Sequence, residues 1–123
     1  MHTLDSNVLI YYLNSETKAT VFIEKIIKEG SVSYVSTITE IEVLSYKGLS
    51  VSEMADIEEL FNSFRQVIVD SNIVKIASEI RRHSNLKTPD AIIAATAIFT
   101  GTKLVTRNTK DFKKVKGLSL IEI

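Results

Sequence analysis

Thr88-Pro89-Asp90-Ala91-Ile92-Ile93-Ala94-Ala95-Thr96-Ala97-Ile98-Phe99-Thr100-Gly101-Thr102-Lys103-Leu104-Val105 is the stretch that decides the fold. A hydroxyl residue followed by proline marks a helix start, because proline needs no N–H there and its φ is already helical. Asp90 to Thr100 is apolar almost all round, which predicts a buried helix, and Gly101 ends it as a left-handed residue should. Lys103-Leu104-Val105 follows at once as a short strand. A buried helix that feeds directly into a strand points to parallel crossovers, with helices on both faces of a sheet.

The same alternation extends outward in both directions. His2-Thr3-Leu4 reads as a short strand, and Val8-Leu9-Ile10 with Tyr12-Leu13 as a helix beginning against the core. Thr17 to Glu29 has Val21, Phe22, Ile26 and Ile27 at helical spacing, and Gly30 stops it. Ser31 to Ser36 is strand-like through Val32, Tyr34 and Val35, and Thr39 to Tyr46 returns to a helix that Gly48 closes. Ser50 and Glu53 form a capping box for a helix through Leu60, Phe61 and Phe64. Val67-Ile68-Val69 is the third strand, and Asp70 or Ser71 caps a helix carrying Ile73, Ile76, Ala77 and Ile80. Leu118 to Ile121 is a candidate fifth strand. The expectation is an α/β fold: a three-layer α/β/α sandwich around a central, mainly parallel sheet of four to five strands.

A chain of 123 residues with one proline and four scattered glycines shows no linker, so residues 1–123 are expected to form a single domain. Apolar residues at 45% and charged residues at 24% are ordinary globular usage and exclude a disordered chain. With no cysteine there is no disulfide framework, thiolate nucleophile or cysteine zinc site. Ala91 to Phe99 is too short to span a bilayer, and Asp5 falls where a signal peptide should be apolar. A cytoplasmic protein with no membrane partner is expected. Net charge is zero, but its distribution is uneven. Glu40, Glu42, Glu53, Asp56, Glu58 and Glu59 are accompanied only by Lys47. Lys103, Arg107, Lys110, Lys113, Lys114 and Lys116 surround the single acid Asp111. Either run also reads as solvated surface.

Ligands of parallel α/β sheets bind beyond the carboxyl ends of the strands, so polar residues there are the candidates. Asp5 closes the first strand, with helix capping as the competing role. Glu42 follows the second strand. It has capping-box spacing from Thr39, as Glu40 has from Thr37, and the two glutamates point to different faces of one helix. Asp90 lies in the first turn of the buried helix. There it either complements the helix dipole or, being ionised beside apolar neighbours, needs a cation. Asp111 follows the fourth strand and otherwise caps whatever begins at Phe112. Asp70 reads as a cap. Only two histidines are present and no glycine-rich phosphate loop, which disfavours histidine zinc sites, paired histidine acid–base catalysis and nucleotide cradles. Clustered carboxylates suit hard, oxygen-loving ions, so Mg²⁺ or Mn²⁺ is the expected cofactor.

These residues resemble a known family. Leu4-Asp5-Ser6-Asn7-Val8-Leu9-Ile10 is similar to the opening of PIN-domain ribonucleases, especially the VapC-type toxins of toxin–antitoxin pairs. Ser36 to Leu44 resembles their second acidic motif, with Glu42 rather than Glu40 at the catalytic position. Asp90 to Ala97 resembles the third, and Leu104 to Asn108 followed by Lys110-Asp111-Phe112 the fourth. The resemblance spans the whole chain in order and loses no acid. It implies a metal-dependent endoribonuclease in which Asp5 and Asp90 hold the main ion while Glu42 and Asp111 complete its shell. Either Asn108 or Asp111 supplies the fourth polar ligand. Asn7, Thr106 and Asn108 would orient ligands or the scissile phosphate, and Arg107, Lys110, Lys113 and Lys114 would hold flanking RNA. A cognate antitoxin laid over the acidic Glu40–Glu59 segment, with its affinity sensitive to Glu58 and Glu59, and a homodimer are implied as partners. The rival readings are a catalytically idle PIN-like binding domain, which should have lost an acid, and a structure-specific DNA nuclease, which should carry long insertions.

Overall fold

The computed structural model describes all 123 residues. Its elements run β1 (His2–Leu4), α1 (Ser6–Leu13), α2 (Thr17–Lys28), β2 (Ser33–Ser36), α3 (Thr37–Leu44), α4 (Val51–Asn62), β3 (Arg65–Val67), α5 (Ser71–His83), α6 (Thr88–Thr100), β4 (Lys103–Thr106), α7 (Thr109–Phe112) and β5 (Leu120–Glu122). The five strands form one sheet in the order β3-β2-β1-β4-β5. Every pairing is parallel. The expected α/β/α sandwich is therefore present with its fifth strand, and β1 lies at the centre of the sheet.

Successive strand residues face opposite sides of the sheet, and that alternation builds two cores. Leu4, Val35 and Val105 join Val8, Leu9, Ile23, Val43, Ile57 and Phe61 under α1 to α4. Leu104 joins Ile73, Ala77, Ile93, Ala94, Phe112 and Val115 on the other side, under α5, α6 and α7. Helix α6 is buried along most of its length, as its composition requires.

Local signals set several boundaries as expected. Ser50 and Glu53 exchange both capping-box hydrogen bonds at the start of α4. Asp70 caps α5 by accepting from the N–H groups of Asn72 and Ile73. Gly101 closes α6 at φ 66°.

Other boundaries move. Helix α3 begins at Thr37 rather than Thr39, because Ser36 already ends β2 in an extended conformation and its hydroxyl accepts from the Ile38 N–H. Helix α6 takes in Thr88, and its first turn closes from the Lys87 carbonyl, so Thr88 is not the cap and Pro89 is the second helical residue. Proline is equally free of cost there, since none of the first four N–H groups has a helical partner. Strand β3 covers Arg65–Val67 rather than Val67–Val69. Its register on β2 pairs Ser36 with Val67, so Ile68 runs past the end of its neighbour and is exposed. Strand β5 likewise starts at Leu120, where it meets Leu104.

Candidate active site

The carboxyl ends of β1, β2 and β4 gather the predicted residues. Asp5 directly follows β1, Thr106 ends β4, Glu42 lies on α3 just beyond β2, Asp90 occupies the first turn of α6, and Asp111 lies on α7. The sheet order explains the convergence, because β1 has β2 and β4 as its two neighbours.

Asp5 is 4% exposed. Its N–H donates to the Val105 carbonyl at 3.0 Å, which extends the sheet ladder one residue past β1 and fixes where the side chain leaves the backbone. It stands at the N-cap position of α1 yet caps nothing. Instead one carboxylate oxygen accepts from the Thr106 hydroxyl at 2.7 Å. The other accepts a longer contact of 3.4 Å from Ser6. Thr106 is itself held, since its hydroxyl accepts the Asn108 N–H at 2.9 Å while donating to Asp5. The capping role weighed for Asp5 is therefore not the one its side chain fills.

Glu42 is also freed from its competing role. The cap of α3 is Ser36, and Glu42 accepts from Ser6 at 2.8 Å. The Ser6 hydroxyl is buried between Asp5 and Glu42 and ties the two acids together. Sequence reasoning gave Ser6 no part in the site. Its position directly after a strand-end aspartate was the available signal. Glu40, two residues before Glu42, has its Oε1 buried without a hydrogen-bond partner.

The four acids share one electrostatic field. Burial pushes the Asp5 carboxyl up to about 6, with the Asp90 and Glu42 charges adding to the rise and the Thr106 hydrogen bond opposing it. Asp90 is raised too, first by burial and then by the negative charges of Glu42 and Asp111, against some relief from Lys87. Asp111 is half-exposed on α7, with the Lys114 ammonium 3.9 Å away. It lies inside α7 rather than ahead of a helix at Phe112, so the capping role is excluded. Asn108 stands at the N-cap position of α7 without a side-chain cap bond, and the Asn7 Oδ1 is buried without a donor.

One buried carboxylate, Asp5, with the half-buried Glu42, Asp90 and Asp111, and an Asn7 amide oxygen that lacks a donor two residues after Asp5, offer the hard oxygens that suit Mg²⁺ or Mn²⁺. As the side chains stand, no three His, Cys, Asp or Glu groups are gathered tightly enough to hold an ion.

The basic residues divide into two kinds. Lys110 and Lys113 are exposed and have no ion-pair partner, whereas Arg107 is already engaged. Its guanidinium pairs with Glu16 at 2.5 Å and lies over the Tyr11 ring, 4.2 Å from the centroid. The hydrogen bond from Arg107 draws Glu16 down to about 2. Glu16 and Tyr11 were not singled out by sequence reasoning.

A parallel sheet in this order, with acids converging beyond its central strand, makes this a doubly wound α/β domain with an acidic carboxyl edge. The chain belongs to the PIN domain family, whose model matches residues 3–118. Ribonuclease VapC2 of Methanocaldococcus jannaschii is 31% identical over 136 residues, covering 97% of this chain and 91% of that protein. Ribonuclease VapC19 of Mycobacterium tuberculosis is 28% identical over 117 residues, covering 91% and 92%. Among solved structures, a toxin–antitoxin complex from Klebsiella pneumoniae superposes with a TM-score of 0.84 at 28% identity, with 100% of each chain covered. VapBC2 from Rickettsia felis, bound to a DNA fragment from its promoter, gives 0.83 over 99% of this chain and 98% of its own. Its 20% identity speaks to the fold alone.

Proposed function

We propose that this chain, residues 1–123 acting as one PIN domain, is the endoribonuclease toxin of a toxin–antitoxin pair and depends on Mg²⁺ or Mn²⁺. The observation that carries the reading is the convergence of Asp5, Glu42, Asp90 and Asp111 on one field in a chain whose relatives are ribonucleases. No acid has been lost, whereas an idle binding domain should have lost at least one.

When bound, the ion supplies Lewis acidity toward the phosphate and an activated water nucleophile. Asp5 and Asp90 would be the principal ligands, and Glu42 with either Asp111 or Asn108 would complete the set. Thr106 and Ser6 fix the carboxylates through the hydrogen bonds they donate. Asn7 and Asn108 present amides to the ligands or the scissile phosphate. Lys110, Lys113 and Lys114 hold flanking phosphates, which carry no sequence information. Arg107 contributes less free charge to RNA than its sequence position suggests, because Glu16 already neutralises it. Water attack leaves a 5′-phosphate and a 3′-hydroxyl and does not use the 2′-hydroxyl.

The antitoxin surface follows the same reading. Of the apolar residues of α3 and α4, Val43, Ile57, Leu60 and Phe61 are core, while Val51 and Met54 are exposed. A groove of about 290 Å³ lies between α1, α3 and α4, and Ile10, Leu13, Tyr46 and Leu49 form much of its wall. Its acidic rim is Glu53 and Asp56, so Asp56 replaces the exposed pair Glu58 and Glu59 as the charge expected to matter. An antitoxin helix with apolar anchors and a basic residue suits this groove. Homodimerisation and a cytoplasmic location are carried over as parts of the same reading. No helix is long and apolar enough to cross a membrane.

The direct test is cleavage of a structured RNA by the purified protein in Mg²⁺ or Mn²⁺. Replacing Asp5 or Asp90 with Asn should lower the rate by about two orders of magnitude or more with the fold retained. Undiminished cleavage by either variant would contradict the assignment.

A further inference from the structure

The acid site has a second basic neighbour besides α7. Helix α5 ends in Arg81-Arg82-His83, and Lys87 stands in the short connection to α6. By sequence alone, bases in a last helical turn are accounted for by the negative end of the helix dipole. That account does not reach Lys87, which lies past the helix, or the bases that another element brings beside His83.

Two hollows, one on each side of α5, are bordered by most of these groups. One of about 500 Å³ is bordered by Arg81, Arg82 and Thr88 and has no acidic residue in its wall. The other, of about 670 Å³, is bordered by His83 together with Lys114 and Lys116 from beyond α7, and Glu79 is its only acid. None of the four acids lines either hollow, but Thr88 in the wall of the first lies two residues before Asp90 in the same first turn of α6. Lys87 stands at the N-cap position of α6, three residues before Asp90, and Lys114 lies 3.9 Å from Asp111. Arg81 is pinned by its Nε, which donates to the Leu86 carbonyl at 3.1 Å and leaves the outer guanidinium nitrogens free. Of these bases only Lys114 has an ion-pair partner. All of them are exposed.

We propose that Arg81, Arg82 and Lys87, continued by Lys114 and Lys116, form a second phosphate track that holds the RNA backbone on the α5–α6 side of the scissile bond. The inference rests on the ribonuclease reading and adds a path for the strand: Lys110 and Lys113 hold one flank, the α5–α6 corner the other, and Lys114 stands where the two meet. A polyanion is favoured over a folded acidic partner because the bases are spread over both sides of α5 and approach the edge that holds Asp90 and Asp111 through Thr88 and Lys114. A substrate phosphate must already be present at that edge. Each phosphate neutralised releases condensed counterions, so the track has a salt signature of its own.

The test measures the affinity of the Asp5→Asn protein for RNA across a range of salt, with and without Arg82→Glu and Lys116→Glu. The double reversal should weaken binding by at least about tenfold near physiological salt and flatten the log–log salt slope by about two, one per lost contact. In the otherwise wild-type protein the loss should appear in KM. Lys25→Glu with Lys28→Glu, on exposed α2, should change neither quantity. If RNA is bound and cut normally but slope and affinity do not move, the track is wrong while the ribonuclease reading stands. If the inactive protein binds no RNA, both fall. If the double reversal costs antitoxin affinity and leaves RNA affinity unchanged, the surface is a protein-docking face and the track is overturned.

Discussion

Asp5 sets the energetics of the site. Its carboxyl is raised to about 6 mainly by burial. The unfolded chain gives up that proton near the ordinary aspartate value of ~3.9. Between those values the folded protein holds a proton that the unfolded chain has lost. Stability from this group is therefore full at low pH and falls as pH rises through about 6, by up to about 3 kcal/mol. Asp5→Asn should accordingly raise the melting temperature in chelator at neutral pH by several degrees, with the gain vanishing toward about pH 4. A gain independent of pH, or a loss at neutral pH, would contradict the electrostatic account. The glutamates offer a sharper contrast. Glu42→Gln should impair cleavage by more than about tenfold with little change in melting temperature, whereas Glu40→Gln should stay within a few-fold. Equal effects would place the second acidic motif in the wrong register. Ser6→Ala should release Glu42 and slow cleavage, with Ser6→Thr retaining activity because the hydroxyl is what reaches Glu42. The acids were legible in sequence because strand ends can be found from local patterns. Ser6, Glu16 and Tyr11 were not, since their roles depend on partners brought close only by folding. Arg107 meets Glu16 from the far end of the chain.

At the scale of elements, the boundaries fixed by local chemistry were readable and those fixed by pairing were not. Ser50 with Glu53, Asp70 and Gly101 act within a turn of themselves, so a sequence window contains everything they need. The limits of β3 depend on where β2 ends, and the start of α3 on where Ser36 leaves the sheet, so neither is contained in a local window. Gly101 allows a direct check. A Cβ there would meet nothing within 4 Å, so Gly101→Ala tests the left-handed backbone alone. It should cost about 1 kcal/mol in denaturant unfolding, with cleavage unaffected per folded molecule. No loss of stability would mean that α6 does not end as described.

Over the whole molecule, net neutrality conceals two faces of opposite sign. The acidic face lies along α3 and α4, and the basic one along the α5–α6 corner and α7. Sequence reasoning saw the acidic run and the Lys103–Lys116 run but not the bases of α5, which only the packing of α5 on α6 adds. The acidic face should govern the antitoxin complex: Asp56→Lys should weaken it more at low salt than at high, because screening removes the long-range part of the attraction. An affinity that ignores this charge would remove α4 from the interface.

The measurement closest to the central claim is the chemistry of the RNA ends produced by the purified protein, with Mn²⁺ and with excess EDTA. The account predicts fragments bearing 5′-phosphate and 3′-hydroxyl groups in Mn²⁺, and no cleavage in EDTA. Cleavage that persists in EDTA, or that leaves 2′,3′-cyclic phosphates, would contradict it.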